Sequence, residues 1–406
     1  MSKTILGIIR EGKTPPDRRV PLTPAHCAAL ISQYEELEII VQPSEIRGFT
    51  DAEYASVGIT VQEDLSSCDI IMGVKEVPIE DLLEGKKYCF FSHTIKEQAY
   101  NRKLLQAVLQ KRIQLIDYEC LRYKNGLRII GFGRYAGIVG AYNALIGYGK
   151  RKGLFDLKRA NDCKDRAELN EQLQELKLPP IKIVLTGEGR VGGGAKETLD
   201  TLGVEQVGTE EFLHEAYDHP VYVQLGVLDY NKMIDGESKD EEHFFKHGSE
   251  YETAFIPYTK VSDIFISCHF WDPVAPRLFT REDILNPFFK MEVIADISCD
   301  IGGSVPTTLD ASSIAEPFFG YNKQSGEKGD PFHEEHITIM SVDNLPCELP
   351  RDSSVGFADD LANDVLPYVL GNDSDNRIAR ASITKDGELT RDYQYLKEFA
   401  AGMQDL

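Results

Sequence analysis

The sequence predicts an α/β fold with two doubly wound, Rossmann-like domains and a cleft between them. Three observations support this prediction. The chain has 406 residues, a usual length for two or three domains. Apolar segments of strand length alternate with helical patterns in two separate series, as parallel βαβ units do. The second series begins with a strand, a glycine-rich turn and a helical pattern in direct succession.

The first series occupies residues 1–120. Its predicted strands are residues 5–9, 37–41, 69–74, 88–91 and 113–118, and its predicted helices are residues 23–34 and 97–110. Residues 131–150 combine glycines with apolar residues at helical spacing, so we expect a long helix that leaves the first domain there. Residues 154–178 are charged and polar, which is typical of a helical linker or an insertion.

The second series starts at residue 181. Its predicted strands are residues 181–185, 206–208, 222–225, 264–267, 293–297 and 337–342. Residues 235–249 are acidic and poorly periodic, which favours a surface excursion. The chain ends with two predicted helices, at residues 354–370 and 390–403.

Composition excludes several classes of protein. Acidic residues outnumber basic ones by 66 to 44, which gives a net charge of −22. The sequence shows no basic stripe of the kind that a nucleic-acid-binding protein needs, so this class is excluded. No apolar run approaches the roughly 18 residues of a membrane span, and the N-terminus does not read as a signal peptide, so we expect a cytoplasmic protein. The eight cysteines are scattered, which predicts free thiols. Neither His243/His247 nor His333/His336 has a convincing third ligand nearby, so no metal site is predicted.

The glycine-rich turn is the strongest local motif. Gly187, Gly189 and Gly192 form a G-x-G-x-x-G fingerprint, with Arg190 and Val191 inside it, between a strand and a helix. Such a turn lets the backbone approach a pyrophosphate at the helix N-terminus. The fingerprint also calls for an acid on the ribose about 20 residues on, and we choose Glu210. No Lys or Arg lies between residues 200 and 215, which favours NAD, with NADP as the alternative.

Candidate acid–base groups follow three strands of the first series. Lys75 and Glu76 come after residues 69–74, His93 after residues 88–91, and Glu119 after residues 113–118. Residues just beyond the carboxyl ends of parallel strands line the ligand crevice, where a Lys, a His and carboxylates can transfer protons. On spacing alone, ordinary solvated or core-edge side chains remain the alternative.

Four arginines are candidates for holding an anionic substrate. Arg18 and Arg19 lie in a proline-rich loop, and Arg128 and Arg134 flank the sequence Gly-Phe-Gly. Arginine grips carboxylates in a bidentate manner, which an acidic protein needs if it is to hold an anion. A surface salt bridge is the alternative for each of them.

These motifs together resemble a known family. The order Arg-Arg-x-Pro-Leu-Thr-Pro, Val-Lys-Glu-Val-Pro, Phe-Ser-His-Thr-Ile-Lys and then the fingerprint is similar to the alanine dehydrogenase/transhydrogenase-α superfamily. Within it, the chain most resembles the saccharopine-forming branch, which contains lysine–ketoglutarate reductase and saccharopine dehydrogenase. The segments that carry this resemblance are residues 90–96, 115–119, 128–137, 275–281, 295–303 and 341–352.

The resemblance implies a domain arrangement and roles for individual residues. Residues 1–140 and 343–406 would form the substrate domain, and residues 141–342 an inserted dinucleotide domain. Lys75 and His93 would be the catalytic pair, with Glu76 and Glu119 adjusting their pKa values. The remaining implied roles are substrate binding for Arg19 and Arg128, a place near the nicotinamide for Asp300, and cofactor binding for Asp343.

The implied activity is the interconversion of saccharopine with lysine and 2-oxoglutarate by a nicotinamide-dependent oxidoreductase. Its partner would be a small-molecule substrate, with no nucleic acid or membrane, and the oligomeric state stays open, a homo-oligomer included. One alternative is an alanine-dehydrogenase-like deaminase of a small amino acid. A second is a non-catalytic nucleotide-binding subunit like transhydrogenase α. One departure is that animal and plant reductase domains typically use NADP, whereas no cation for a 2′-phosphate is evident here.

Overall fold

The computed structural model describes residues 3–402 and divides the chain into two compact units. One unit comprises Met1–Phe132 and Pro350–Leu406, and the other comprises Gly133–Leu349. The second unit is therefore inserted into the first along the chain. The divisions fall at residues 132/133 and 349/350, whereas the boundaries expected from the sequence are 140/141 and 342/343.

The strands are named β1 to β18 in chain order. They are β1 Thr4–Ile8, β2 Leu37–Val41, β3 Thr60–Val61, β4 Ile70–Met72, β5 Lys87–Phe90, β6 Gln114–Asp117, β7 Lys182–Thr186, β8 Glu205–Gln206, β9 Val221–Leu225, β10 Asn231–Met233, β11 Tyr251–Thr253, β12 Ile264–Ser267, β13 Val293–Asp296, β14 Phe318–Asn322, β15 Lys328–Gly329, β16 His336–Met340, β17 Ser382–Lys385 and β18 Glu388–Leu389.

The α-helices are named α1 to α14 in the same way. They are α1 Pro24–Gln33, α2 Asp51–Ser56, α3 Arg102–Gln110, α4 Gly133–Lys152, α5 Arg166–Gln174, α6 Arg190–Leu202, α7 Thr209–His214, α8 Glu241–Lys246, α9 Ile256–Thr259, α10 Arg281–Ile284, α11 Pro350–Asp364, α12 Leu366–Leu370, α13 Arg377–Ala381 and α14 Lys397–Ala401.

The sheet of the first unit has the strand order β18-β17-β6-β5-β4-β1-β2-β3. Strands β1 to β6 are parallel, and β17 and β18 add an antiparallel edge. Strand β1 pairs with β2 on one side and with β4 on the other, so the winding direction reverses at the β1/β4 pair. Ligands of doubly wound sheets bind at the carboxyl ends of the strands at such a switch point.

The sheet of the second unit has the order β15-β14-β16-β13-β12-β7-β9-β8. Its switch point is at β7, which pairs in parallel with β9 and with β12. Ile183 and Leu185 of β7 face one apolar cluster and Val184 faces another, so both faces of this sheet are covered. The predicted α/β class with two doubly wound units is confirmed.

Several predicted elements differ in detail from the structure. The strand expected at residues 206–208 is the two-residue edge strand β8. The first part of the helix expected at 97–110 is a 3₁₀ turn, Ala99–Asn101, before α3 begins. The last helix expected at 390–403 is a 3₁₀ segment, Arg391–Leu396, followed by α14, and residue 403 lies outside the described residues. Within residues 3–402, no helix is long and apolar enough to cross a bilayer.

Candidate active site

A partly buried carboxyl group holds the loop that follows β4. Glu11, just after β1, accepts hydrogen bonds from the backbone N–H groups of Val74 at 2.6 Å and Lys75 at 2.9 Å. Burial is the main reason why the pKa of Glu11 rises to about 8, and the nearby charge of Asp17 adds to it. Sequence reasoning missed Glu11, although it follows β1 in the same way that Lys75 follows β4.

The side chain of Lys75 lies among charges of both signs. Burial lowers the pKa of its amine, the cationic groups of Arg19 and Lys13 lower it further, and Asp17 and Glu76 act in the opposite direction. The amine also lies 5.9 Å from the centre of the Phe91 ring. A lysine with a lowered pKa is neutral more often near neutral pH, which suits a proton acceptor.

Glu76 is paired with the predicted histidine. Its Oε1 lies 2.6 Å from Nδ1 of His93, and its Oε2 lies 3.2 Å from Nζ of Lys13. Burial raises the pKa of Glu76, but the hydrogen bond from His93 and the neighbouring charges outweigh it and lower the pKa to about 2. The ionised Glu76 carboxylate can accept a hydrogen bond from Nδ1–H of His93, which leaves Nε2 as the ring nitrogen that does not contact Glu76.

The backbone around His93 is held in an unusual conformation. His93 has φ of 54°, in the left-handed region that few residues other than glycine adopt. The buried Asp117 supports this turn, since it accepts hydrogen bonds from the Ser92 N–H group at 3.0 Å and from the Ser92 hydroxyl. The other oxygen of Asp117 accepts the Glu119 N–H at 2.7 Å, which links the turn after β5 to the end of β6. Asp117 was not among the predicted site residues.

Glu119 lies between two cations. Its Oε1 is 3.8 Å from Nζ of Lys96 and 3.9 Å from a guanidinium nitrogen of Arg128. Its Oε2 is buried and makes no hydrogen bond within the described residues. Arg128 is about two-fifths exposed, at 41% of its side chain, so its guanidinium is accessible to a ligand.

The two arginines of the N-terminal loop are in different environments. The Arg19 side chain is 2% exposed and forms two hydrogen bonds with Asp17, at 3.0 and 2.5 Å, while its guanidinium carbon lies 4.0 Å from the centre of the Phe132 ring. Arg18 is exposed and donates to the Ile46 carbonyl at 3.3 Å. Arg19 therefore belongs to the buried charged cluster around Lys75, and Arg18 lies on the surface.

Arg134 belongs to the second unit. It forms two hydrogen bonds with Glu197, at 2.7 and 2.9 Å, and Arg166 lies 2.8 Å from the same carboxylate. This pairing places Arg134 in an ion-pair network within its own unit.

The second unit contains a cavity of about 570 Å³ at its switch point. Gly187 (φ +93°) makes the turn after β7, and a Cβ at Gly192 would come within 2.0 Å of the Gly187 carbonyl oxygen. A Cβ at Gly189 would meet nothing within 4 Å, so this residue leaves open space. Helix α6 begins beside it without a side-chain cap, so its first N–H groups are available to an anion. These residues fit a dinucleotide.

The walls of this cavity come from several loops. Arg190 and Val191 line it at the start of α6, and Glu241 and Phe245 line it from α8, within the segment expected to be a surface excursion. His269, after β12, also lines it; its ring nitrogens lie 2.8 Å from the hydroxyls of Thr186 and Ser304. Burial lowers the pKa of His269 to about 4, so its ring is neutral at physiological pH.

Three predicted residues of the second unit lie outside the lining of the cavity. Glu210 is on α7, after the edge strand β8, and its side chain is 86% exposed. Asp300 follows β13, and Asp343 follows β16, where its Oδ1 lies 3.9 Å from the Cys299 sulfur.

Across residues 3–402, no group of three or more His, Cys, Asp or Glu side chains is placed to hold a metal ion. The ring centres are 4.6 Å apart in His243/His247 and also in His333/His336, the two histidine pairs considered in the sequence. His243 contacts the Tyr251 hydroxyl at 3.0 Å, and the buried His336 contacts the Asp330 carbonyl oxygen at 2.8 Å.

Comparison with known proteins agrees with these features. Residues 7–139 match the family model "Alanine dehydrogenase/PNT, N-terminal domain". This match covers most of the part of the first unit that precedes the second unit along the chain. The resemblance predicted from the sequence is confirmed, and it extends beyond this domain to curated relatives of the saccharopine-forming branch.

Two kinds of relative match almost the whole chain. The alpha-aminoadipic semialdehyde synthases of Arabidopsis thaliana and Mus musculus are each 30% identical, over 97% and 98% of this chain and 41% and 48% of their own lengths. The chain therefore spans less than half the length of these relatives. The saccharopine dehydrogenase [NAD(+), L-lysine-forming] of Emericella nidulans is 25% identical, over 88% of this chain and 90% of its own length.

Solved structures support the fold. An L-alanine dehydrogenase superposes with a TM-score of 0.63 and 16% identity, covering 98% of this chain and all of its own. A transhydrogenase from Sinorhizobium meliloti superposes with a TM-score of 0.59 and 17% identity, covering 95% of this chain and 98% of its own.

Proposed function

We propose that the protein is a nicotinamide-dependent oxidoreductase that interconverts saccharopine with lysine and 2-oxoglutarate. The observation that carries this proposal is the half-buried group of Lys75, Glu76 and His93 at the switch point of the first sheet. The saccharopine dehydrogenase and semialdehyde synthase relatives, whose matches cover nearly the whole chain, support the choice of substrate.

The cavity of the second unit supports a dinucleotide cofactor. Its glycine turn, the uncapped start of α6 and the open space at Gly189 are the features that such a ligand requires. When bound, the nicotinamide supplies the acceptor or donor of a hydride. We propose NAD as the cofactor, because one group of relatives is named for NAD(+).

The remaining chemistry is proton transfer by this chain's own residues. In the oxidative direction the secondary amine of saccharopine becomes an imine, water adds to it, and the carbinolamine breaks down to lysine and 2-oxoglutarate. Lys75 would move protons during the addition of water and the breakdown of the carbinolamine. His93 would accept the amine proton through Nε2 while Glu76 holds Nδ1. The two roles can also be exchanged.

Cationic side chains of the first unit supply the binding of carboxylates. Arg128, beside Glu119, is accessible and would bind a substrate carboxylate directly, whereas the buried Arg19 is paired with Asp17 and adds positive charge to the cluster around Lys75. Guanidinium groups form bidentate, charge-assisted hydrogen bonds with carboxylates, so they suit a substrate with several carboxyl groups. We also propose a reducing compartment, the cytoplasm, because all eight cysteines are free thiols.

Steady-state absorbance of the nicotinamide tests this proposal. The purified chain should reduce NAD with saccharopine, and should oxidise NADH when lysine and 2-oxoglutarate are both present. Turnover with alanine but not saccharopine would instead identify a small-amino-acid deaminase. Binding of nucleotide without turnover of any amino acid would favour the non-catalytic subunit.

A further inference from the structure

We propose that Glu188, the acidic residue inside the glycine turn, selects NAD(H) over NADP(H) by repelling a 2′-phosphate. This inference rests on the proposed function, because it requires that the cavity of the second unit binds a nicotinamide dinucleotide. It replaces Glu210 as the residue that sets the preference.

The order of the strands decides which side of the turn faces the ribose. In a dinucleotide-binding sheet, the ribose hydroxyls lie beyond the strand next to the one that leads into the glycine turn. Here that neighbour of β7 is β9, because β8 lies outside β9 at the edge of the sheet. Glu210 follows β8, so it is one strand too far from the turn.

The Glu188 carboxylate lies beside the end of β9. Its Oε2 is 2.7 Å from the position that a Cβ would occupy on Gly226, the residue directly after β9. The Gly226 N–H group donates to Asp229 at 2.7 Å, so a second carboxylate is close to the same point. Glu188 is exposed and is part of the cavity lining, so its charge would lie within reach of a bound ribose.

The charge at this end of the cavity is strongly negative. Tyr230, another lining residue, has a raised pKa, first because it is buried and then because of the charges of Glu241, Glu188 and Asp229. A phosphate monoester carries close to two negative charges at neutral pH, so three nearby carboxylates oppose its binding. The cation Arg190 also lines the cavity, but it is the first residue of α6, at the end that attracts the pyrophosphate.

Fluorescence titration of the full chain with NADH and with NADPH tests this inference without any amino-acid substrate. The unmodified protein should bind NADH more tightly. Glu188→Gln, which keeps the size and hydrogen-bonding ability but removes the charge, should tighten NADPH binding by about tenfold and leave NADH within about threefold. Glu210→Gln is the matched control, and it should leave the NADH/NADPH ratio unchanged.

The other outcomes are distinct. An unchanged ratio in Glu188→Gln, or a ratio that moves in Glu210→Gln instead, would overturn the inference while leaving the proposed function in place. Tighter binding of NADPH than NADH by the unmodified protein would also overturn it. If neither nucleotide binds, the proposed function itself is wrong, and the inference is wrong with it.

Discussion

Glu76→Gln is the substitution that most directly tests the acid–base site. The introduced amide side chain would have the size of the native one and could still hydrogen-bond His93, but it would lack the charge that faces both His93 and Lys13. The carboxylate that holds Nδ1 of His93 at 2.6 Å would be replaced by an amide, which can present either an oxygen or an N–H group to the ring. The substitution therefore removes the negative charge beside His93 and Lys13, and it no longer fixes which ring nitrogen of His93 carries the proton.

The pKa of Glu76 gives the size of the expected effect on stability. The value falls from 4.5 to about 2 in the folded protein. At 1.36 kcal/mol for each pKa unit, this corresponds to about 3 kcal/mol as an upper figure. Because the folded-state pKa lies below the unfolded one, this contribution is complete above about pH 4.5 and is lost as the pH falls toward 2.

Chemical unfolding at about pH 7 and about pH 3, together with kcat, measures both consequences. Glu76→Gln should be less stable than the unmodified protein at the higher pH, and the difference should shrink at the lower one. We expect kcat to fall at least about tenfold, since loss of the carboxylate that orients a catalytic histidine is costly. Equal stability at the higher pH, or a difference that grows on acidification, would contradict the reasoning.

Glu53→Gln is the matched control. A hydrogen bond from Arg351 lowers the pKa of Glu53 to about 2 as well, but Glu53 lies on α2 and does not contact the Lys75 cluster. Its loss should produce the same direction of pH dependence in stability while kcat stays unchanged. A fall in kcat of similar size in Glu53→Gln would show that the activity loss in Glu76→Gln is a general effect of destabilisation.

Three further predictions concern the same unit. Lys75→Met and His93→Gln should each lower kcat by about 10²–10⁴-fold, and their effects should be less than additive in the double variant. The affinity for nucleotide, measured by titration, should stay normal. A near-native kcat would exclude the substituted residue from the proton-transfer steps. Because burial lowers the pKa of Lys75, the rise of kcat/KM with pH in the oxidative direction should lie below the ordinary lysine range and be absent in Lys75→Met. Arg19→Ala should lower the free energy of unfolding by about 3–5 kcal/mol, because the buried Asp17 carboxylate loses the guanidinium group that pairs with it. Arg128→Ala should instead raise KM by about 10- to 100-fold at native stability. The reverse pattern in denaturant and kinetic assays would refute both assignments.

The fold was predictable wherever a strand is buried on both faces. Such strands have continuous apolar segments, as in β7 and β12, and the sequence analysis found them. The antiparallel strands at one end of each sheet, β14, β15, β17 and β18, were not found. The outermost of them, β15 and β18, have two residues each and are too short to show an apolar pattern. The glycine fingerprint was equally visible, since its residue types follow from the backbone conformation that the turn requires.

The candidate site was predictable only in part. The rule that places ligands at the carboxyl ends of parallel strands led to Lys75, Glu76 and His93, which the structure brings together with Arg19. The same rule could have found Glu11, but Asp117 gives a weaker signal, as a carboxylate within an apolar strand. The choice of Glu210 assumed that the next strand in the sequence is also the next strand in the sheet. The strand order β7-β9-β8 was not available from spacing.

The distribution of charge is compatible with the anionic substrate that we propose, even in so acidic a chain. A net charge of −22 repels anions at long range, but this repulsion is screened beyond roughly 8 Å at physiological ionic strength. At shorter range the local groups dominate, and the carboxyl ends of β4 to β6 carry Lys75, Lys96 and Arg128, with Lys13 and Arg19 from the loop after β1. The negative charge of two nearby carboxylates is partly offset. Glu76 contacts Lys13 and His93, and Glu119 lies near Lys96 and Arg128. Local cations can therefore attract the carboxylates of a substrate while the carboxylates of the site keep the pKa of Lys75 from falling further.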